Sequence, residues 1–211
     1  MVMLRADSRL SLSCPGVDGH LLFAAVSIRM VDTETATLGG GCFWCVEAAF
    51  KELPGVQSAV SGYAGGDTVD PSYRAVCSGS TGHAEVVQVE YDADQMAFAD
   101  ILRVFFTVHD PTQLNRQGPD VGSQYRSIVL CENDTQQTQT QEYIEELESE
   151  GAYDGIVTEV EPLETFYKAE SKHQDYYDKN PNDRYCTFHA DPKIQKVREK
   201  FTQEPASQSS D

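Results

Sequence analysis

Basic side chains are scarce in this chain. Seven Lys and nine Arg face 34 acidic residues over 211 positions, for a formal net charge of −18 at pH 7. A protein that neutralises phosphates needs clustered Lys and Arg, so nucleic acid is excluded as a partner. An anionic membrane surface is disfavoured for the same reason. Long apolar runs are missing too: the longest, His20 to Ile28, falls well short of the ~20 residues that cross a bilayer. Cysteine is thin, with six residues at 14, 42, 45, 77, 131 and 186 and a single close pair. That is too sparse for a disulfide scaffold and suits a reducing cytoplasm in which a few thiols are kept for chemistry.

What is present supports a folded body. Hydrophobic residues make up 40% of the chain, including ten Tyr and nine Phe, and a chain of this length buries roughly 70% of its unfolded surface. Nothing in the sequence demands more than a monomer. The acid excess implies surroundings of very high salt, where screening makes self-repulsion tolerable. Residues 1–29 differ from the rest, carrying a net +1 that leaves −19 on the remainder. They are expected to be a disordered extension, or to precede a true start at Met30. The signal-peptide alternative lacks a small-residue cleavage site. A single catalytic domain is expected over 30–203, with a disordered Ser- and Gln-rich tail at 204–211.

Periodicity places the elements. A strand at Thr33–Leu38 runs into Gly39-Gly40-Gly41, and Phe43, Val46, Phe50 and Leu53 recur at helical spacing over 42–53, before Pro54-Gly55. Strands are predicted at Val56–Tyr63, around Val87–Tyr91, at Tyr125–Cys131 and at Ile156–Val160. Helices are predicted at Asp94–Val108, Asn133–Glu150 and Pro192–Phe201. The segments 71–79 and 109–124 read as loops, and the aromatic stretch before 192 as irregular. The order β-α-β, loop, β-α-β-α-β predicts an α+β domain with helices packed on a mixed sheet.

One segment stands out: Gly39-Gly40-Gly41-Cys42-Phe43-Trp44-Cys45-Val46-Glu47. The glycines permit a tight strand-to-helix turn that sets Cys42 in the first helical turn. There the free N–H groups and the helix dipole favour a thiolate, so a lowered thiol pKa is expected. Cys45, three residues on, is within reach for a disulfide. Three other readings compete. The pair could be two small buried hydrophobes. Cys42, Cys45, Cys186 and His189 could be zinc ligands of an interaction module. A CxxC at a helix start is also the mark of a thioredoxin-type dithiol oxidoreductase, although the first helix comes early for that topology.

Gly41 to Glu47 resembles the signature of the peptide methionine sulfoxide reductase A family. The likeness continues through Ser61–Gly66, Pro71-Ser72-Tyr73, Cys77–Glu85, His109-Asp110-Pro111, Gln117–Ser127 and His173–Tyr176, covering about Thr35 to Cys186. The resemblance implies a ferredoxin-like core and reduction of methionine S-sulfoxide, free and in oxidised proteins, with no metal or organic cofactor. It implies Cys42 as nucleophile and Glu85 as acid. Tyr73 and Tyr125 would hydrogen-bond the sulfoxide oxygen, Asp120 would complete the polar side, and Phe43 and Trp44 would hold the substrate's methyl group. Cys186, on a segment expected to be flexible, and Cys45, where the commonest family pattern has Gly, would resolve the oxidised Cys42. Cys186 is expected first, with the disulfide then passed to thioredoxin or an equivalent dithiol. Cys77 and Cys131 read as packing, and His83 and His173 as structural hydrogen-bond formers.

Overall fold

The computed structural model describes residues 32–202. The expectations for 1–29 and 204–211, and Cys14 with them, lie outside the described residues. Strand β1 (Thr33–Gly40) leads to helix α1 (Phe43–Lys51), β2 (Val56–Ala64), a short α2 (Tyr73–Cys77), β3 (Ala84–Asp92) and α3 (Phe98–Val108). A two-stranded hairpin of β4 (Arg116–Gln117) and β5 (Asp120–Val121) follows, then β6 (Ser127–Cys131), α4 (Asp134–Ser149), β7 (Glu159–Pro162) and β8 (Tyr167–Lys168). The chain closes with α5 (Tyr176–Lys179), a π-helical turn at Cys186–Ala190, and α6 (Asp191–Phe201).

The main sheet runs β7-β6-β1-β3-β2-β8. Its inner four strands, β6-β1-β3-β2, are all antiparallel to their neighbours. With α1 and α3 as the crossovers, this is the split β-α-β arrangement of a ferredoxin-like core. Helix α4 carries the chain from β6 to a parallel β7, so the sheet is mixed, as the element order predicted.

Strand alternation divides the apolar residues between two faces. Leu38, Val87, Val89 and Val129 join Phe50, Ile101, Phe105 and Ile194 in the main core. Val86, Ile128 and Leu130 point the other way, under Leu163 and Phe166. Each large side chain so buried contributes roughly 1.5–3 kcal/mol against exposure. No helix among the described residues is long and apolar enough to cross a membrane.

The differences from the sequence reading are local. Asp94–Ala97 stays outside α3, which begins at Phe98, because Asp100 caps the Ala97 N–H at 3.0 Å. Tyr125 lies in a 3₁₀ turn before β6. Segment 71–79 holds α2, capped by Ser72, whose hydroxyl accepts from Ala75 N–H. The long loop contains the β4–β5 hairpin. The aromatic stretch contains β8 and α5, elements too short for periodicity to reveal.

Candidate active site

Antiparallel pairing brings together what the sequence separates. Leu38 faces Val87, so the glycine end of β1 meets the start of β3, where Glu85 sits opposite Tyr63 of β2. A Cβ on Gly39 would come within 2.8 Å of the Glu85 carbonyl oxygen, which is why the strands can close here only without a side chain. Gly41 has φ 94°, in the left-handed region. It turns the chain so that Cys42 becomes the N-cap of α1, one position before the first helical residue.

Glu85 is 1% exposed, and the Phe43 backbone N–H donates to its Oε2 at 3.1 Å. Burial, reinforced by the neighbouring Cys42, pushes its carboxyl well above the usual carboxylate range. The protonated form is favoured accordingly. Tyr73 and Tyr125 both interact electrostatically with Glu85, and burial raises their phenols, keeping them protonated donors. The Tyr73 hydroxyl bonds the Cys77 sulfur, so Cys77, read as packing, borders the site. Asp120, at the start of β5, accepts from the Tyr185 hydroxyl, and Tyr185 acts on the Cys42 thiol, lowering it against the larger effect of burial.

Cys42 does not behave as its place at a helix N-terminus suggested. It is 7% exposed, and burial drives its thiol up, with the adjacent Cys45 adding to the rise. Cys45 is the member of the pair held below its ordinary value, through the hydrogen bond with Cys42. Desolvation inside the core outweighs the dipole at the helix end. Cys186 is completely buried in the π-helical turn rather than on a mobile segment, and burial pushes its thiol up to about 11.

Phe43 and Trp44 lie in an aromatic cluster that continues through Tyr63, Tyr73 and His173. The Tyr176 ring stacks on Trp44 at 3.7 Å between centroids, and Tyr185 meets it edge-on at 6.1 Å. His83 is tied down as expected, accepting from Gly66 N–H and bonding the Thr68 carbonyl. His173 is not: it is 4% exposed, and neither ring nitrogen has a hydrogen-bond partner. Among the described residues no group of three or more His, Cys, Asp and Glu is arranged to hold a metal ion. His189 packs against Tyr185 instead of joining the cysteines.

The sequence reading missed Tyr185, Tyr176, His173 and Glu170 as neighbours of this site. Glu170 accepts from the Tyr63 hydroxyl at 2.8 Å and from Tyr73 N–H at 3.1 Å. Two signals pointed here: the family-like motif at His173–Tyr176 and the density of aromatics between 166 and 189, without periodicity to say where they pack.

The family model described as peptide methionine sulfoxide reductase matches residues 34–205. A protein of Natronomonas pharaonis named peptide methionine sulfoxide reductase MsrA is 69% identical over 172 residues, covering 81% of this chain and 97% of the relative. Among solved structures, Mxr1 from Saccharomyces cerevisiae in reduced form aligns with a TM-score of 0.70 at 36% identity, covering 74% of this chain and 91% of the other. Mxr1 has also been solved in complex with Trx2; that structure aligns with a TM-score of 0.50 at 23% identity over 71% of this chain and 91% of the other.

Proposed function

The chain belongs to the peptide methionine sulfoxide reductase family, oxidoreductases that reduce methionine sulfoxide, and we propose the finer chemistry as follows. The substrate is the S epimer of methionine sulfoxide, free or within oxidised proteins. The observation that carries this reading is a buried Glu85, its carboxyl raised by burial, set beside Cys42 at the start of α1 with two phenol donors near it.

Cys45, the more acidic thiol of the pair, ionises first, and its thiolate takes the Cys42 proton as Cys42 attacks the sulfoxide sulfur. Glu85 protonates the sulfoxide oxygen, and Tyr73 and Tyr125 stabilise the charge that develops there. The protonated oxygen passes from the substrate sulfur to the Cys42 sulfur as the substrate's S–O bond and the newly formed S–S bond both break, so methionine leaves and Cys42 is a sulfenic acid. A second thiol then attacks the Cys42 sulfur and expels water, leaving a disulfide. Cys45 is in hydrogen-bond contact with Cys42 and is the more acidic thiol, which supports it for this step. Cys186 then follows by exchange, the reverse of the order expected from sequence.

The disulfide is returned to two thiols by thioredoxin or an equivalent dithiol, a reading supported by the Mxr1–Trx2 complex. Asp120 acts through Tyr185, and Phe43 and Trp44 receive the methyl group. The protein works as a monomer in the cytoplasm, repairing oxidised proteins, and residues 30–203 form its catalytic domain. Incubation with each epimer and dithiothreitol tests the reading. Methionine is expected from the S epimer alone; turnover of insulin disulfides with neither epimer reduced would favour a general dithiol oxidoreductase instead.

A further inference from the structure

Glu47 is a buried carboxylate to which these steps assign no task. It lies one helical turn beyond Phe43 on α1 and is 2% exposed. Three donors converge on it. Lys51 Nζ and the Asp175 backbone N–H reach Oε1 at 2.9 and 3.0 Å, and the Ser61 hydroxyl reaches Oε2 at 3.1 Å. A buried carboxylate is costly unless its oxygens are supplied with donors in this way, and what these bonds hold is a strained turn.

Asp175 has φ 54° and ψ 34°, the left-handed region, which a non-glycine residue keeps only when its surroundings impose it. Lys51 bridges from Glu47 to the Asp175 carboxylate. The Gln174 amide pairs with β2 as a strand would, donating to Ser61 O at 2.8 Å and accepting from Ser61 N–H at 3.1 Å. The residues flanking this clamp are the ones that cover the site. Tyr176 lies flat on Trp44, and the His173 ring sits 4.2 Å from Tyr73, 5.6 Å from Phe43 and 5.7 Å from Trp44.

We propose that Glu47 is a positioning residue that sets the width of the apolar pocket. One helix, α1, supplies the pocket floor through Phe43 and Trp44. Glu47, a turn along the same helix, fixes the 173–176 turn that supplies its cover. Floor and cover are thus held to a single rigid element, and the substrate's methyl group is received at a constant spacing. The inference rests on reading Phe43 and Trp44 as the methyl pocket.

Trp44 is the only tryptophan in the chain, so its emission reports the Trp44–Tyr176 stack without any turnover. Glu47→Ala removes the acceptor for Asp175 N–H. It is expected to raise KM for methionine sulfoxide about tenfold while changing the rate of Cys42 oxidation at saturating substrate by no more than about twofold. Trp44 emission should shift to the red and become more easily quenched by acrylamide. Glu47→Gln keeps one acceptor oxygen and should recover most of both effects.

If Glu47→Ala does not fold, Ser61→Ala, which strips one donor from the same carboxylate, is expected to move KM and emission in the same direction by less. Unchanged KM and emission beside a lowered melting temperature would overturn the proposal. So would a Glu47→Gln protein as impaired as Glu47→Ala. A wild-type protein that reduced no methionine sulfoxide would sink the functional reading, and Trp44 emission would then decide alone whether Glu47 holds the turn.

Discussion

The backbone N–H of Phe43 donates to the Glu85 carboxyl at 3.1 Å, joining residues 42 apart in sequence. The first free donor of α1 is thereby spent on Glu85, and Cys42 sits beside both.

Glu85→Gln retains an acceptor for that N–H and loses the proton. Its kcat should fall by about 10²–10⁴, the usual worth of general acid catalysis, with KM little changed. In the native protein the rate should decline as pH rises through the raised Glu85 value, and the variant should lack that limb.

The same group links stability to pH. A carboxyl raised in the folded state contributes its stability fully below the ordinary glutamate range. That contribution is lost as pH climbs to the folded value, because only the folded state still holds the proton in that interval. Urea midpoints measured against pH should show this decline in the native protein and not in Glu85→Gln.

The thiol order is open to direct observation. After one turnover without reductant, Cys186→Ser should carry a Cys42–Cys45 disulfide, whereas Cys45→Ser should accumulate sulfenic acid on Cys42. Both variants should still release about one methionine per chain, since the sulfenic acid forms before any second thiol acts. Disulfide formation in Cys45→Ser as fast as in the native protein, followed by mass spectrometry, would return the first step to Cys186.

When Cys42 ionises, the Tyr185 hydroxyl can turn from Asp120 to donate to the thiolate, which lowers the thiol against the pull of burial. Tyr185→Phe should slow alkylation of Cys42 at mildly alkaline pH by roughly fivefold, the loss of one hydrogen bond worth ~1 kcal/mol. A rate equal to that of the native protein would remove Tyr185 from the site's electrostatics.

Twelve acids lie between Glu132 and Glu170 with Lys168 as the one base among them. On α4, Glu142, Glu145, Glu146 and Glu148 repel at three- and four-residue spacing, and the last turn holds no basic residue to offset the dipole. Molar KCl, with a Debye length near 3 Å, should raise the melting temperature markedly. Glu146→Gln should add about 0.5 kcal/mol in dilute buffer and almost nothing in molar salt.

Much of this molecule can be read from residue order alone. Alternation along β3, the short apolar run of β6 and the helical spacing of Phe43, Val46 and Phe50 are local patterns, and each marks its element in the sequence. The motif at Gly39–Glu47 points to thiol chemistry because three glycines, two cysteines and a helix start lie within nine positions.

Tertiary structure decided the rest. Tyr185 reaches Asp120 across 65 residues and Gln174 reaches Ser61 across 113. No local period encodes such pairings, so the motif at 173–176 could be noticed in the sequence but not placed over the site. The acidity of Cys42 went the same way. A helix N-terminus can be inferred from sequence, but desolvation depends on what packs around the sulfur, and here burial prevails over the dipole.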